Sequence, residues 1–527
     1  MRSLKMENSM KKNPVALPSI DDLKKLNERH NLGCNEDELK EYQSIMKNTV
    51  AAYNFIDDQE IPSYVSKYGG NREYLRPEGD ENKYNAWYVK CNIEGASSGK
   101  LAGKKVAIKD NIAVANIPMM NGSRVLEGYI PEYDATIVQR ILEAGGTICG
   151  KTTCEDLCVS AGSIFTAYGP VRNPHNTECT SGGSSSGSAV AVAVGECDMA
   201  IGGDQGGSIR IPSSSCGIIG LKPTHGLVPY TGAMPIVPCI DHLGPMSKDV
   251  ADCALLLEVI AGYDNGFDYR QRPFKVPEYS KLIFPHVKPS RKINIGILQE
   301  GVDLCDENVK NVFNASLKYL KESEHLCLKS TSLEMHVKSD NITSVIFGNG
   351  VFGSMIDGCG FGTSLSGMQS HTLAKKMFEG YKEHFKDTTE TVKLRTFIGS
   401  YMHENYGSYH YTKAATLASH LKLKYDALLK ENDVLIMPTL RKTPTKIPPQ
   451  NASITEKITS VFYVNKNTAI FNITGHPALT LNCGYDGDLP VGLMIVGKHF
   501  DEVGVLNVAS IFEDIFKMKM NKKNASA

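Results

Sequence analysis

Residues 180–210 read TSGGSSSGSAVAVAVGECDMAIGGDQGGSIR. Two glycine clusters rich in hydroxyls or polar groups, GGSSSG at 182–187 and GGDQGGS at 202–208, bracket AVAVAVG at 189–195 and MAI at 199–201. The first insert is small and apolar enough for a packed helix, and the second reads as a short buried strand. Glycine tolerates positive φ and close backbone approach. A Gly-Gly-Ser turn can therefore aim successive N–H groups at one point with a hydroxyl beside them, as an oxyanion hole with an adjoining nucleophile requires. A Gly/Ser linker is the competing reading. A linker stays polar throughout, and the apolar helix-length run between the clusters argues against it.

Upstream, KKVAIKDN at 104–111 alternates Val106 and Ile108 as a strand does, and Lys109 falls where the apolar run stops. A lysine at the end of a buried strand is a candidate base, because leaving water favours its neutral form, although a solvated strand-end lysine gives the same pattern. Asp134 is expected to cap a helix carrying Ile137, Val138, Ile141 and Leu142, ending at Gly145-Gly146. GGTICGKT at 145–152 satisfies the phosphate-loop pattern. That pattern needs a strand before the loop and a helix opening at Lys-Thr, whereas here a helix precedes it and Thr147-Ile148-Cys149 reads as a strand, so nucleotide binding is not expected. GSSSG at 183–187 also fits GxSxG, but an elbow sits on a strand-to-helix turn and the preceding NPHNTECT is loop-like. Cys149, Cys154, Cys158 and Cys179 form no CxxC pair, so no metal site is expected from them.

Farther out, residues 19–56 read as two helices, capped by Ser19 with Asp22 and by Asn35 with Glu38. The second carries Leu39, Tyr42, Ile45, Met46, Val50 and Tyr53 on one apolar face. A connector is placed at 66–83, and Trp87, the only tryptophan, is expected to pack a domain junction. Strands at 217–224, 293–298 and 434–438 alternate with helices over 251–260, 309–320 and 417–429, an α/β pattern with a sheet covered on both faces. FGNGVFGSMIDGCGFGTSLSG at 347–367 holds seven glycines and reads as an irregular segment. Its Phe347, Val351, Phe352, Met355 and Phe361 are expected to line a pocket wall.

The chain has 527 residues, enough for a large core, with 57 basic against 58 acidic residues and no sustained basic stripe, so no nucleic-acid partner is expected. No run of about 18 apolar residues is present, so no membrane span is expected. Fourteen cysteines in so long a chain are no disulfide framework, and the N-terminal MRSLKMENSMKKN lacks the apolar core of a leader, which fits a reducing, cytoplasmic setting.

Lys109, Ser184 and Ser208 together resemble the amidase-signature family of serine hydrolases, with several motifs in the expected order from about 87 to 512. KDNIAVANIPMMNGSR, CEDLC, GGDQGGSIRIP, GLVPYTGA and IDHLGPM resemble in particular the stand-alone bacterial amidases of nitrile catabolism. The resemblance implies a mixed central β-sheet covered by helices, with residues 1–85 as an N-terminal helical segment and connector and 86–515 as the catalytic domain. It implies hydrolysis of a small-molecule carboxylic amide to acid and ammonia through a seryl acyl-enzyme, without cofactor or metal, in a homo-oligomer expected to be a dimer. By position, Ser208 is the nucleophile, Ser184 the bridging serine on a cis peptide, and Lys109 the base. The backbone N–H groups of Gln205, Gly206, Gly207 and Ser208 form the oxyanion hole, and Asp204 with Arg210 fixes the loop as an ion pair. A Ser-Lys arrangement can replace histidine in activating a serine. Gln205 stands where the wider family commonly has threonine. The glutaminase component of a tRNA-amidating complex and a fatty acid amide hydrolase are the alternatives within the same resemblance.

Overall fold

Val106, Ala107 and Ile108 are wholly buried and make the strand Lys105–Lys109, one of twelve in a single sheet among the described residues. The computed structural model describes residues 14–62, 64–70, 72–363, 366–462 and 464–525, so the N-terminal stretch read for a leader, 1–13, lies outside the described residues. In chain order the strands are β1 (Tyr74–Leu75), β2 (Trp87–Ile93), β3 (Lys105–Lys109), β4 (Thr147–Thr152), β5 (Met199–Asp204), β6 (Ile219–Lys222), β7 (His242–Ser247), β8 (Ile293–Leu298), β9 (Leu326–Thr331), β10 (Val434–Pro438), β11 (Ala478–Asp486) and β12 (Leu489–Val496). In space they run β1-β2-β4-β3-β5-β7-β6-β11-β12-β10-β8-β9. β4, β3 and β5 are parallel to one another, as are β9, β8 and β10, and antiparallel pairs join these two blocks. Helices cover both faces, the α/β architecture that the alternation of elements predicts.

The contacts divide the chain into two units, 1–64 and 65–527. In the first, Ser19 with Asp22 and Asn35 with Glu38 form capping boxes at the helices Ile20–His30 and Glu36–Asp57. Leu23 and Leu39 are buried, whereas Tyr42, Ile45 and Tyr53 on the expected apolar face are exposed. The second unit holds the whole sheet, including β1, which falls inside the stretch expected to be a connector.

Ser186–Val194 is a helix of Ala, Val, Ser and Gly, buried from Ser186 to Val192, as a helix without a polar face must be. A Cβ on Gly187 would lie 2.1 Å from the Ala86 carbonyl oxygen, so only glycine lets the helix approach that close to the sheet. Trp87, expected at a domain junction, lies instead inside this core with Ala107, Ala189, Val190 and Met246. Its indole N–H donates to Glu196 at 2.6 Å. Asp134 also departs from expectation. Ala135 is the N-cap residue of Thr136–Glu143, and Asp134 instead binds Arg72 at 2.6 Å and accepts from the Ala115 and Ser66 N–H groups. A buried guanidinium outbids a helix end for the same carboxylate, because the charge-assisted bidentate bond is the stronger one.

Candidate active site

β3 and β5 run parallel with Ile108 opposite Ile201, so the residues leaving their carboxyl ends emerge side by side. Clefts outside such ends are the usual place for sites in α/β sheets. Lys109, fully buried, donates from Nζ to Ser184 Oγ at 2.8 Å and to the Gly203 carbonyl oxygen at 3.1 Å. The Gly183–Ser184 peptide is cis, as the sequence resemblance implies. The next residue ties this turn to the second glycine cluster, because Ser185 N–H donates to the Ser208 carbonyl oxygen at 3.2 Å. Three residues far apart in the chain, Lys109, Ser184 and Ser208, therefore converge on one place.

The loop carrying Ser208 is gripped from behind by Asp204. One carboxylate oxygen accepts from Gly207 N–H at 2.7 Å, and the other accepts from Ile209 N–H at 3.0 Å. Arg210 pairs with Asp204 at 3.1 Å and extends to the Thr468 carbonyl and to Asn472 Oδ1. Burial would raise the Asp204 carboxyl, but the Arg210 guanidinium and the Asn472 hydrogen bond outweigh it and hold it at about 2. The pair thus fixes the loop, as the sequence predicts. Gly207 has φ +127°, and a Cβ there would fall 2.2 Å from Thr468 Oγ1, so glycine is required twice over.

The two competing motifs resolve into structural roles. Lys151 of the phosphate-loop pattern lies within β4 and pairs with Asp110 at 2.9 Å, both groups buried. Asp110 accepts in turn from the Met120 and Asn121 N–H groups, bracing the turn after Lys109. Ser185 of GxSxG bridges the Gly203 N–H and C=O, each at 3.1 Å.

Ser208 opens onto a cavity of about 280 Å³ whose lining includes Gln205, Gly206, Cys158, Phe347, Arg395 and Phe462. The segment expected to be irregular is helical over its first half: Met335–Gly350 is a helix that runs on as a π turn through Val351–Ile356. Asp340, Thr343, Ser344 and Phe347 of that helix line the cavity, so the expected wall holds for Phe347 alone. Val351 and Met355 are buried in the core, Phe352 packs against Gly399 and His403, and Phe361 faces a different cleft. Arg395 lies between the Phe347 and Phe462 rings, 5.0 and 5.2 Å from their centres, and burial draws its guanidinium down to about 10.

Two neighbours went unassigned in the sequence although CEDLC carries both. Cys158 lines the cavity and shares the Asn121 Oδ1 acceptor with Cys154. Burial pushes the Glu155 carboxyl up to about 8, and its N–H donates to the Ser184 carbonyl at 3.3 Å. Spacing alone could not say which of the five residues turn inward.

Residues 80–506 match the family model described as Amidase. An enantioselective amidase of Rhodococcus rhodochrous is 39% identical over 498 residues, 94% of this chain and 95% of that protein. A glutamyl-tRNA(Gln) amidotransferase component from Methanosarcina barkeri is 35% identical over 432 residues, 80% of this chain and 86% of that one. The solved structure of the corresponding component from Thermotoga maritima superposes with a TM-score of 0.63 at 26% identity, over 85% of this chain and 87% of that one. The match takes in both glycine clusters, the strand that ends in Lys109 and the cavity that Ser208 lines. This chain belongs to the amidase-signature family and is an enzyme that hydrolyses amides.

Proposed function

We propose that Ser208 is the nucleophile, Ser184 the proton bridge and Lys109 the base in hydrolysis of small carboxylic amides to acid and ammonia. The observation that carries the reading is the 2.8 Å contact from Lys109 to Ser184 beside the cavity wall that holds Ser208. Ser208 Oγ attacks the amide carbon while its proton passes through the Ser184 hydroxyl, which can accept and donate at once, to Lys109. The proton returns by the same path to the leaving nitrogen, ammonia departs, and an ester to Ser208 remains. Water, deprotonated along the same path, then attacks that ester and releases the acid. Gly207 N–H is committed to Asp204, so the oxyanion is assigned to the N–H groups of Gln205, Gly206 and Ser208. The sequence expectation of four donors narrows to three.

A cavity walled by Phe347, Val461 and Phe462 suits aromatic and short aliphatic acyl groups. The chain acts alone in this reading: the Rhodococcus amidase match spans 94% of it, reaching into the N-terminal helices, against 80% for the amidotransferase component. A reducing cytoplasm, favoured by fourteen free cysteines, and a dimer of identical chains, implied by the family resemblance, complete the proposal.

Ser208→Ala should abolish ammonia release while circular dichroism stays unchanged, and Lys109→Ala should lose at least about 10²-fold in the chemical step. Ser185→Ala loses only the Gly203 bridge and should keep measurable turnover. Full activity in folded Ser208→Ala, or loss confined to Ser185→Ala, would end the assignment.

A further inference from the structure

Three side chains meet where the helix Tyr409–Glu431 passes the turn after Ile470–Ile473 and the segment after β12. Asp426 Oδ1 lies 3.1 Å from His476 Nε2 and 3.5 Å from His499 Nδ1, and the imidazole centres are 4.0 Å apart. His476 is wholly buried, while Asp426 and His499 are half-buried.

The hydrogen bonds on the far sides of the rings decide what faces inward. His499 Nε2 is 2.9 Å from the Thr474 carbonyl oxygen, which only accepts, so Nε2 carries the proton and Nδ1 presents a lone pair. The Thr474 hydroxyl donates to the Ile470 carbonyl at 3.1 Å, so its oxygen accepts from His476 Nδ1 at 2.9 Å. His476 Nε2 then also presents a lone pair. These are the lone pairs of neutral imidazoles, the form that ligates metals. Two nitrogen lone pairs and a carboxylate oxygen therefore face one another, an arrangement of acceptors that a cation completes. Letting the Thr474 hydroxyl donate to His476 instead would satisfy that ring, but His499 Nδ1 would still confront Asp426.

We propose that Asp426 Oδ1, His476 Nε2 and His499 Nδ1 bind one divalent transition-metal ion of the Zn²⁺ or Co²⁺ class, with water in the remaining position. Tetrahedral Zn²⁺ holds N and O ligands at about 2.0–2.2 Å, which sets neighbouring donor atoms roughly 3.3–3.5 Å apart. The donors here, all within 4.8 Å of one another, need only small shifts to reach that spacing. Lys422 occupies the other Asp426 oxygen at 2.9 Å, so the site is neutral before the ion enters. Two imidazoles with one carboxylate select against Ca²⁺ and Mg²⁺, which want oxygen ligands. Thr474 orients both rings from behind, as outer partners of ligating histidines commonly do. The ion would staple helix Tyr409–Glu431 to the turn whose upstream residues, Thr468 and Asn472, hold Arg210.

The test is Co²⁺ titration of the chelator-stripped full-length chain, read by absorption and calorimetry, with the Zn²⁺-dependent melting shift as a second readout. One Co²⁺ per chain is expected, with the weak bands of nitrogen and oxygen ligation and a higher melting temperature in Zn²⁺. Fourteen cysteines offer competing sites, and thiolate binding announces itself by intense charge-transfer absorption. Asp426→Asn and His499→Ala, both at half-buried positions, should each weaken binding at least about 10-fold, the lower bound for disturbing even an outer partner. No binding up to about 1 mM, a thiolate spectrum alone, or affinity unchanged in both variants would overturn the proposal.

Discussion

At the scale of the residue, burial decides which groups carry charge around Ser184. Glu155 is fully buried, accepts from the Phe165 N–H at 3.2 Å, and has its carboxyl pushed from 4.5 up to about 8. Between those values the unfolded chain is ionised at this position while the folded chain keeps the proton. The folded state then binds more protons, so the contribution of Glu155 to stability is fully present below pH 4.5 and is lost as the pH rises through 8. Glu155→Gln is neutral at every pH and of the same shape. Relative to the wild type its stability should improve by up to about 1.4 kcal/mol per pH unit across that window. Denaturant melts of both proteins at pH 5, 6, 7 and 8 check this. A difference that stays constant would mean that the buried carboxyl is ionised throughout.

At the scale of the element, the loop from β5 into Arg210–Cys216 depends on one fully buried ion pair. The Asp204 carboxyl sits at about 2, below its ordinary 3.8, so its stabilisation is present above 3.8 and fades as the pH falls towards 2. Asp204→Asn leaves the buried Arg210 charge without its counter-ion, which costs about 3–5 kcal/mol when such a pair is broken. It also loosens the Gly207 N–H, so turnover should fall along with the melting temperature; a variant that melts like the wild type would refute the clamp. The helix Met335–Gly350 makes the next prediction. Phe347→Ala enlarges the cavity wall and should shift kcat/KM between large and small amides by roughly 10- to 200-fold, the worth of one or two methylenes of packing. Phe352→Ala opens the contact with Gly399 and His403, so it should lower stability and scale all amides alike. These elements also mark what could be read from sequence. The capping boxes at Ser19 and Asn35, the strand ending at Lys109 and the buried Ala/Val helix were legible, because each is dictated by neighbours a few positions away. Residues 347–356 read as irregular because glycine disfavours helices, yet a Cβ on Gly350 would come within 2.6 Å of Val237, so packing requires the glycine. Asp134 misled for the same reason, its partner Arg72 being distant in the chain. Motif order singles out Lys109, Ser184 and Ser208, whereas Arg395, Phe462 and Asp340 reach the cavity only through tertiary folding.

At the scale of the whole molecule, one sheet brings together the proposed base from β3, the proposed bridge from the turn before Ser186–Val194 and the proposed nucleophile Ser208 from the loop after β5, which lines the cavity, and nothing in that set comes from outside the chain. The purified chain should therefore release ammonia from small amides without nucleotide, tRNA or a second protein. Dependence on any of them would favour the role of an amidotransferase component. The same assembly predicts how the reaction divides. If the amide and the methyl ester of one acid both acylate Ser208, they share everything after the first step. Hydroxylamine then competes with water for one intermediate, and the ratio of hydroxamate to acid depends on hydroxylamine concentration but not on the group that has left. Overall rates can differ widely, since ammonia and methanol leave at different speeds, while the product ratio stays the same. Phe347→Ala should change which acids are accepted and leave that ratio nearly unmoved for a given acid, if the wall it alters holds the acyl group, as proposed, rather than the attacking one. Unequal ratios from amide and ester under identical conditions would show that water attacks the substrate directly, and Ser208 would then have to be given a role other than carrying the acyl group.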